Sequence, residues 1–257
     1  MSRARASSDP LLAPDVPSLP PITLLPGDHD SFEDGACLME LVAHLAGEEH
    51  SDRPECACDV IATAARGLND AIDCDTRRTA MLANLAPLIV GTRCTFEQER
   101  DRSYQWFDWL VRVHAPAFLE LTSALSGHAE ALRSAPRVLA VNRYQLEEPV
   151  HAAFAAAIRG GLPLDTESVE AAHQSVRDAI GEASFDAAST ATQDLRLFDI
   201  GWNASEAAKD AARAAISGGV DLNPTVHRLQ QSAADLIRKQ CEEHHAAKAQ
   251  PTTEGAR

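Results

Sequence analysis

Side chains that can bind a metal or carry acid–base chemistry concentrate between Asp34 and Asp70. This stretch holds three of the six cysteines of the chain, two histidines and a dense set of acidic residues. On a helical wheel, Cys37, Glu40 and His44 fall within about 60° of one another, beside the apolar stripe of the same helix. Thiolate, carboxylate and imidazole are ligand types that zinc accepts. The spacing therefore predicts one point at which these three side chains converge.

A polar turn follows this helix and brings two further thiols, Cys56 and Cys58. A helical hairpin would place one of them opposite Cys37, so the predicted metal ligands are Cys37, Glu40, His44, Cys56 and Cys58. Four convergent ligands would close a structural zinc site, whereas three would leave a position for water. Cys-x-Cys is less diagnostic than Cys-x-x-Cys, and small cysteines often only fill a core. Packing, zinc binding and a redox pair all stay open.

Nucleophilic catalysis by Cys37 is a further hypothesis for the same stretch. The positive end of a helix dipole lowers a thiol pKa, and His44 or His50 would serve as the base. The competing interpretation is an inert buried thiol. No catalytic residue is assigned on this basis.

The apolar residues that must position these side chains recur at the spacing of buried helical stripes. Asp34 is the predicted cap of the first helix, and Gly47 is its predicted end. A central helix is predicted over about 96–114, with Pro116 breaking or kinking it. Ala-rich helices are predicted over about 150–158, 166–197, 205–216 and 224–245, with Gly201 between two of them. The stripes of the first two helices are Leu38, Leu41, Val42 and Leu45, then Val60, Ile61, Ala64 and Leu68.

These patterns predict an all-α fold, with a compact N-terminal helical bundle followed by Ala-rich helical hairpins. Residues 1–30 are predicted to form a proline-rich extended or disordered arm, because proline fixes φ and removes backbone donors. The pairs Leu11/Leu12 and Leu24/Leu25 would pin parts of this arm to the body. The N-terminal helical domain is predicted over 31–135, the Ala-rich segment over 136–245, and a disordered tail over 246–257.

Charge and missing motifs exclude several functions. The net charge of −15 and pI near 5.0 argue against nucleic-acid binding, which relies on Lys and Arg contacts to phosphates. No segment reaches the roughly 18–20 continuous apolar residues of a membrane span. A cytoplasmic protein with no membrane contact is therefore predicted. Phosphate-binding loops, dinucleotide fingerprints, His-Glu-x-x-His motifs and nucleophile elbows are absent from the sequence.

Several segments between about residues 27 and 125 resemble a family of uncharacterised helical proteins from actinobacteria and their phages. The resemblance rests on the segments DGACLME, SDRPEC, ND and DWLVR, that is, Cys37–Glu40, Ser51–Pro54, Asn69/Asp70 and Asp108–Arg112. The family often has His where this chain has Arg53. The resemblance implies no established activity. It does imply a structural network of polar links between helices, built from Glu40, Asp52, Asn69, Asp70, Asp108 and Arg112. A satisfied network of this kind fixes one packing.

The function predicted from these observations is a non-enzymatic, cytoplasmic module that binds a protein partner or forms a homo-oligomer. No cofactor is expected, although zinc is compatible with the Cys/His/Glu residues. One alternative is a zinc-dependent enzyme or small-molecule binder that uses Cys37, Glu40, His44 and Cys56. A second alternative is an acidic phage-encoded inhibitor of a basic host protein.

Overall fold

A computed structural model describes residues 22–159 and 166–250, and this part of the chain is built from helices. It contains no β-strand; one isolated bridge pairs Leu24 with Ala36. The all-α prediction is confirmed. None of the described helices combines the length and apolar character needed to cross a bilayer. The helices are α1 Leu38–Ala46, α2 Asp59–Ala71, α3 Asp75–Leu82, α4 Ala86–Ile89, α5 Phe96–Trp109, α6 Ala115–Leu119, α7 Ser126–Ser134, α8 Glu147–Arg159, α9 Thr166–Asp178, α10 Gly181–Ser189, α11 Leu195–Ser217 and α12 Asn223–Ala249.

The hairpin of α1 and α2 buries the apolar stripes that the sequence predicts. Most of both stripes is fully buried, and Leu45 packs against the core while partly exposed. Gly47 ends α1 with φ 72°, a left-handed conformation that favours glycine. The predicted cap was wrong: Cys37 is the N-cap, and Asp34 instead accepts a hydrogen bond from the Ser31 hydroxyl at 2.6 Å.

Residues 22–36 form a loop against this hairpin, and an isolated bridge pairs Leu24 with Ala36 across it. Leu24 is fully buried; its N–H donates to Thr79 Oγ1 at 2.8 Å, and the N–H of Leu25 donates to the Ala36 carbonyl at 3.0 Å. The buried Arg78 guanidinium donates to the Leu24 and Asn69 carbonyls, which ties this segment to the end of α2. Residues 1–21 lie outside the described residues, and so does the predicted Leu11/Leu12 contact.

The central helix changes its winding before Pro116. After α5, residues Leu110–His114 form a π-helical turn, in which the N–H of Ala115 donates to the Leu110 carbonyl. Proline has no N–H, and its ring collides with the carbonyl four residues earlier in a regular helix. The wider turn accommodates the proline ring, and α6 begins directly after it at Ala115. Trp106 and Trp109 are buried here.

The second half departs from prediction at two breaks. The single helix predicted over 166–197 is wrong, because α9 ends at Asp178 and α10 begins at Gly181 after Ile180, whose φ is +58°. The predicted break at Gly201 is also wrong, since α11 continues through it. A Cβ at Gly201 would lie 3.0 Å from the Phe185 ring, so glycine serves close packing there. Helix α12 reaches Ala249, so the predicted tail cannot begin at 246; residues 251–257 lie outside the described part.

One continuous apolar core joins the two halves. Helix α10 packs against both α2 and α5, and α12 packs against α2 and α4. The Ser103 hydroxyl on α5 donates to the Ala187 carbonyl on α10 at 3.0 Å, and Trp106 Nε1 donates to Gln240 Oε1 at 3.3 Å. The division into an N-terminal helical domain over 31–135 and an Ala-rich segment over 136–245 stays a prediction.

Helix α10 approaches α2 so closely that only glycine fits at position 67. A Cβ on Gly67 would lie 2.1 Å from the Ala183 Cβ, far inside the ~3.5–4.0 Å optimum for two carbons. Gly67→Ala is expected to lower the unfolding free energy by about 1–3 kcal/mol. This loss exceeds the gain of roughly 1 kcal/mol from replacing a mid-helix glycine. Urea denaturation followed by circular dichroism measures the change.

Ala183→Gly provides the matched control for this contact. Alone it is expected to cost about 1 kcal/mol of helix propensity. Combined with Gly67→Ala it removes the collision, so the double variant is expected to be more stable than the sum of the single effects implies. Strict additivity of the two changes would contradict the close contact.

Candidate functional site

Glu40 is the polar centre of the Asp34–Asp70 stretch. Its side chain is 1% exposed. Oε2 accepts hydrogen bonds from the Cys37 N–H at 2.7 Å and from His29 Nδ1 at 2.8 Å, while Oε1 accepts from the His29 N–H at 2.7 Å. His50 Nε2 lies 3.5 Å from Oε1 and donates to the His29 carbonyl at 3.0 Å. The carboxylate thus caps the N-terminus of α1 and holds the preceding loop to this helix by hydrogen bonds.

These contacts shift the pKa values of Glu40 and Cys37 in opposite directions. Burial alone would raise the pKa of Glu40, but the hydrogen bonds from Cys37 and His29 outweigh it and lower the pKa below 4.5. Burial and the adjacent Glu40 charge raise the pKa of the Cys37 thiol to about 12. Cys37 is therefore a neutral thiol at pH 7, which contradicts the hypothesis that the helix dipole activates it as a nucleophile.

The structure does not bring the predicted metal ligands to one point. His44 is exposed and stacks on Phe32, with ring centroids 4.1 Å apart. Cys56 lies in the turn that Glu48 closes by accepting from the Cys56 N–H at 2.9 Å. Within residues 22–159 and 166–250, no three of Cys37, Glu40, His44 and Cys56 have ligand atoms within 4.8 Å of one another. Of the predicted ligands, only Cys58 belongs to such a group.

Three residues of the predicted polar network, Asn69, Asp70 and Asp52, bond to the segments that flank α1 and α2. Asn69 accepts from the Leu38 N–H at 3.1 Å and donates to the Leu25 carbonyl at 2.8 Å. Asp70 accepts from the Gly27 N–H at 2.8 Å. Asp52 lies 3.8 Å from the Arg66 guanidinium, whose Nη1 also donates to the Asp52 carbonyl at 3.1 Å. These bonds hold residues 22–36, and the turn that contains Asp52, against α1 and α2.

Asp108 and Arg112, the last two residues of the predicted network, form an ion pair with each other. They pair across one helical turn at 3.2 Å. Asp108 also accepts from the Val138 N–H at 2.7 Å, and Arg112 donates to the Arg133 carbonyl at 3.0 Å. The pair therefore anchors the chain that leaves α7.

A crevice of about 90 Å³ lies beside Cys37 and is also lined by Asp52, Arg66, Asn69 and Asp70. Small-molecule sites usually measure about 300–1,000 Å³. This crevice has room for a few water molecules, each occupying roughly 30 Å³ in the liquid. The arrangement stabilises a loop and offers no space for a substrate.

Two thiols and a carboxylate do converge elsewhere. The ligand atoms of Cys58, Cys94 and Glu99 all lie within 4.8 Å of one another, and we refer to them as the Cys/Glu cluster. Cys58 is the N-cap of α2, Cys94 precedes α5, and Glu99 lies in the first turn of α5. Sequence reasoning missed Cys94 and Glu99 because they lie 36 and 41 positions after Cys58 with no short ligand spacing. The one available signal was that three cysteines had been left without an interpretation.

A second unusual feature is an exposed apolar surface on α10 and α11. Leu195, Phe198 and Trp202 are 83%, 45% and 51% exposed and occupy one face of α11. Phe185 on α10 contacts Phe198 edge to face at a centroid distance of 4.8 Å, and Phe198 stacks on Trp202 at 6.5 Å. We call these four residues the aromatic face. Sequence reasoning missed it because a helix break was predicted at Gly201, in the middle of this surface.

A pocket of about 190 Å³ opens at one end of the aromatic face. Phe185, Leu195 and Phe198 line it together with the buried Phe107 and Leu197. It is smaller than the roughly 300–1,000 Å³ typical of small-molecule sites. It can hold one large apolar side chain, which is how an anchor residue of a protein partner is bound.

Fold and sites together define an all-α protein with a buried, hydrogen-bonded Glu40, a partly buried Cys/Glu cluster and an exposed aromatic face. No protein-family model, curated protein or solved structure gives a significant match to the chain. The resemblance to actinobacterial and phage proteins stays a prediction.

Proposed function

We propose that this protein is a non-enzymatic, cytoplasmic interaction module and that the aromatic face is its docking surface. The observation that carries the proposal is the exposure of Leu195, Phe198 and Trp202 side by side on one helix. Contiguous exposed apolar side chains are costly in water and often mark protein-interaction sites. Aromatic residues are also enriched among those that dominate binding energy.

Charge around the aromatic face favours a basic partner. Glu182 and Asp186 lie on α10 within one turn of Phe185, and Asp199 follows Phe198 on α11. These acids form no ion pair with the described residues, whereas Arg196 is paired with Glu147 and Lys209 with Glu206. Burial and the Glu182 charge raise the pKa of Asp186, as expected for a carboxylate without a nearby cation.

The partner that fits is a polypeptide segment with large apolar side chains flanked by Lys or Arg. One apolar side chain would enter the 190 Å³ pocket, and the basic residues would meet the surrounding acids. A second copy of this chain fits less well. The net charge of −15 would bring like charges together across a symmetric interface.

Trp202 allows a direct test, because the other two tryptophans, Trp106 and Trp109, are buried. The probe is a synthetic amphipathic helical peptide of Leu and Lys, and its control has Glu in place of every Lys. The Leu/Lys peptide is expected to shift Trp202 emission to shorter wavelength and protect it from acrylamide. Binding is expected to weaken as salt rises, since the charges lie at the surface. Equal binding of both peptides, or of neither, would contradict the proposal.

Variants locate the binding surface. Leu195→Ala and Phe198→Ala are each expected to lower the affinity for the Leu/Lys peptide about tenfold. This is the effect of losing an interface anchor that contributes more than about 1 kcal/mol. The matched control is Phe96→Ala, which removes a 56% exposed aromatic side chain at the start of α5. Equal losses in all three variants, or dimerisation through the aromatic face in sedimentation measurements, would overturn the proposal.

A further inference from the structure

The Cys/Glu cluster joins the start of α2 to the start of α5. Cys58 is fully buried, while Cys94 and Glu99 are partly exposed. Two thiols and a carboxylate within 4.8 Å of one another are a ligand set that zinc accepts. Three protein ligands leave a fourth position for water.

The groups around the cluster orient its ligands. The Cys58 N–H donates to Thr92 Oγ1 at 3.1 Å, and the buried Arg102 donates through Nη1 to the Thr92 carbonyl at 3.2 Å and to Cys94 Sγ at 3.1 Å. Such outer contacts fix the ligands of metal sites. They also balance the charge. Two thiolates and one carboxylate carry three negative charges, which one divalent cation and the Arg102 guanidinium neutralise.

His244 on α12 supplies a second, independent observation. The residue is 5% exposed, and its Nε2 lies 3.1 Å from the Gly91 carbonyl oxygen. A carbonyl oxygen can only accept, so Nε2 carries the proton and Nδ1 holds a lone pair. Nδ1 is buried and has no hydrogen-bond partner in the described part of the chain. A buried acceptor without a donor is costly.

Cys94 of the cluster and His244 line the same pocket. It measures about 480 Å³ and is lined by Cys94, Thr95, Gln98 and His244, with Arg93 and Lys248 among the remaining residues. It gives Cys94 a route to solvent. A water molecule held in this pocket could donate to His244 Nδ1.

We propose that Cys58, Cys94 and Glu99 bind a thiophilic divalent cation of the zinc class, with a metal-bound water that donates to His244 Nδ1. This site differs from the one predicted from sequence, with which it shares only Cys58. The cation would join the start of α2 to the start of α5, and its bound water would contact α12.

Cobalt(II) titration of the reduced full-length chain tests the proposal. One cobalt ion per chain is expected to give the near-ultraviolet charge-transfer absorption of thiolate ligation, and added zinc is expected to displace it. Cys94→Ser is expected to weaken binding by more than the roughly 10–100-fold that loss of an outer contact costs. Cys94 and Glu99 are partly exposed, so these variants should keep the fold, which circular dichroism checks.

The remaining variants separate ligands from neighbours. Glu99→Gln and His244→Ala are expected to keep the thiolate absorption but to weaken affinity, by about 10–100-fold for His244. Cys74→Ser, which changes an exposed cysteine, and Cys37→Ser are expected to bind cobalt like the unmodified chain. Absence of the thiolate absorption, or its loss in Cys37→Ser but not in Cys94→Ser, would overturn the site. Unchanged affinity in His244→Ala would remove the proposed water contact.

Discussion

Replacing Glu40 by alanine is expected to lower the unfolding free energy by about 3–5 kcal/mol. The change leaves the N–H groups of Cys37 and His29 and the His29 ring without their common acceptor. Each buried donor without a partner costs about 1–3 kcal/mol. Urea denaturation at pH 7 measures the loss. Glu49→Ala, at an exposed position close by, is the control and should change stability by less than about 0.5 kcal/mol.

The effect of Glu40 depends on pH in a defined direction. Because the folded-state pKa of Glu40 is below 4.5, the carboxylate stabilises the fold above that pH, and its contribution is lost as the pH falls through the lower folded-state value. The stability difference between the native chain and Glu40→Ala should therefore shrink in acid. Glu40→Gln keeps the shape but places an NH₂ group among donors, so an intermediate loss is expected. A loss below about 1 kcal/mol for Glu40→Ala at pH 7 would contradict the role of Glu40 as the common acceptor of these hydrogen bonds.

Substituting His114 by leucine is expected to stabilise the protein in mild acid. The imidazole is fully buried among Trp109, Phe118 and Gly181, and neither ring nitrogen makes a well-formed hydrogen bond. Burial lowers the pKa of His114 to about 4, and the nearby Val176 backbone opposes this only in part. Leucine has a similar size and no polar atom to desolvate, so the packing cost should stay under about 1.5 kcal/mol.

The sign of this pH effect is opposite to the usual histidine case. Between about pH 4 and the unfolded value near 6.5, the unfolded chain binds a proton that the folded chain does not, so stability falls as the pH is lowered. From pH 7 to pH 5, His114→Leu should gain about 2 kcal/mol relative to the native chain. Denaturation curves at both pH values measure it. His227→Leu, at an exposed position, is the control; an equal gain there would show that the burial of His114 is not the cause.

Sequence periodicity predicted what depends on neighbours along the chain. The stripes of α1 and α2 and the end of α1 at Gly47 follow from apolar spacing and local turn chemistry. The break between α9 and α10 was missed because Ile180, which takes the left-handed conformation, is a residue that rarely does so. At Gly201 a glycine was read as a boundary, whereas it provides room for the Phe185 ring.

The candidate sites were also predicted only where they depend on residues close in sequence. The helical wheel placed Cys37 and Glu40 on one flank, and they do interact, but it assumed helical backbone at Cys37. Cys37 is instead the extended N-cap, and its N–H, not its thiol, accounts for the main contact. The Cys/Glu cluster depends on α5 packing against the start of α2. That is a tertiary contact, and no spacing in the sequence predicts it.

Helix α12 also has a consequence for the order in which the protein is made. Gln240 in this helix accepts a hydrogen bond from the Trp106 indole N–H. His245 Nε2 donates a hydrogen bond to the Leu88 carbonyl, 157 positions earlier in the chain. At translation rates of about 5–20 residues per second, the ribosome needs roughly 10–30 s to add the residues between these partners. During that time the apolar sides of α2 and α4 have emerged without the helix that covers them. For that interval we expect the nascent chain to expose apolar surface that chaperones at the ribosome can bind.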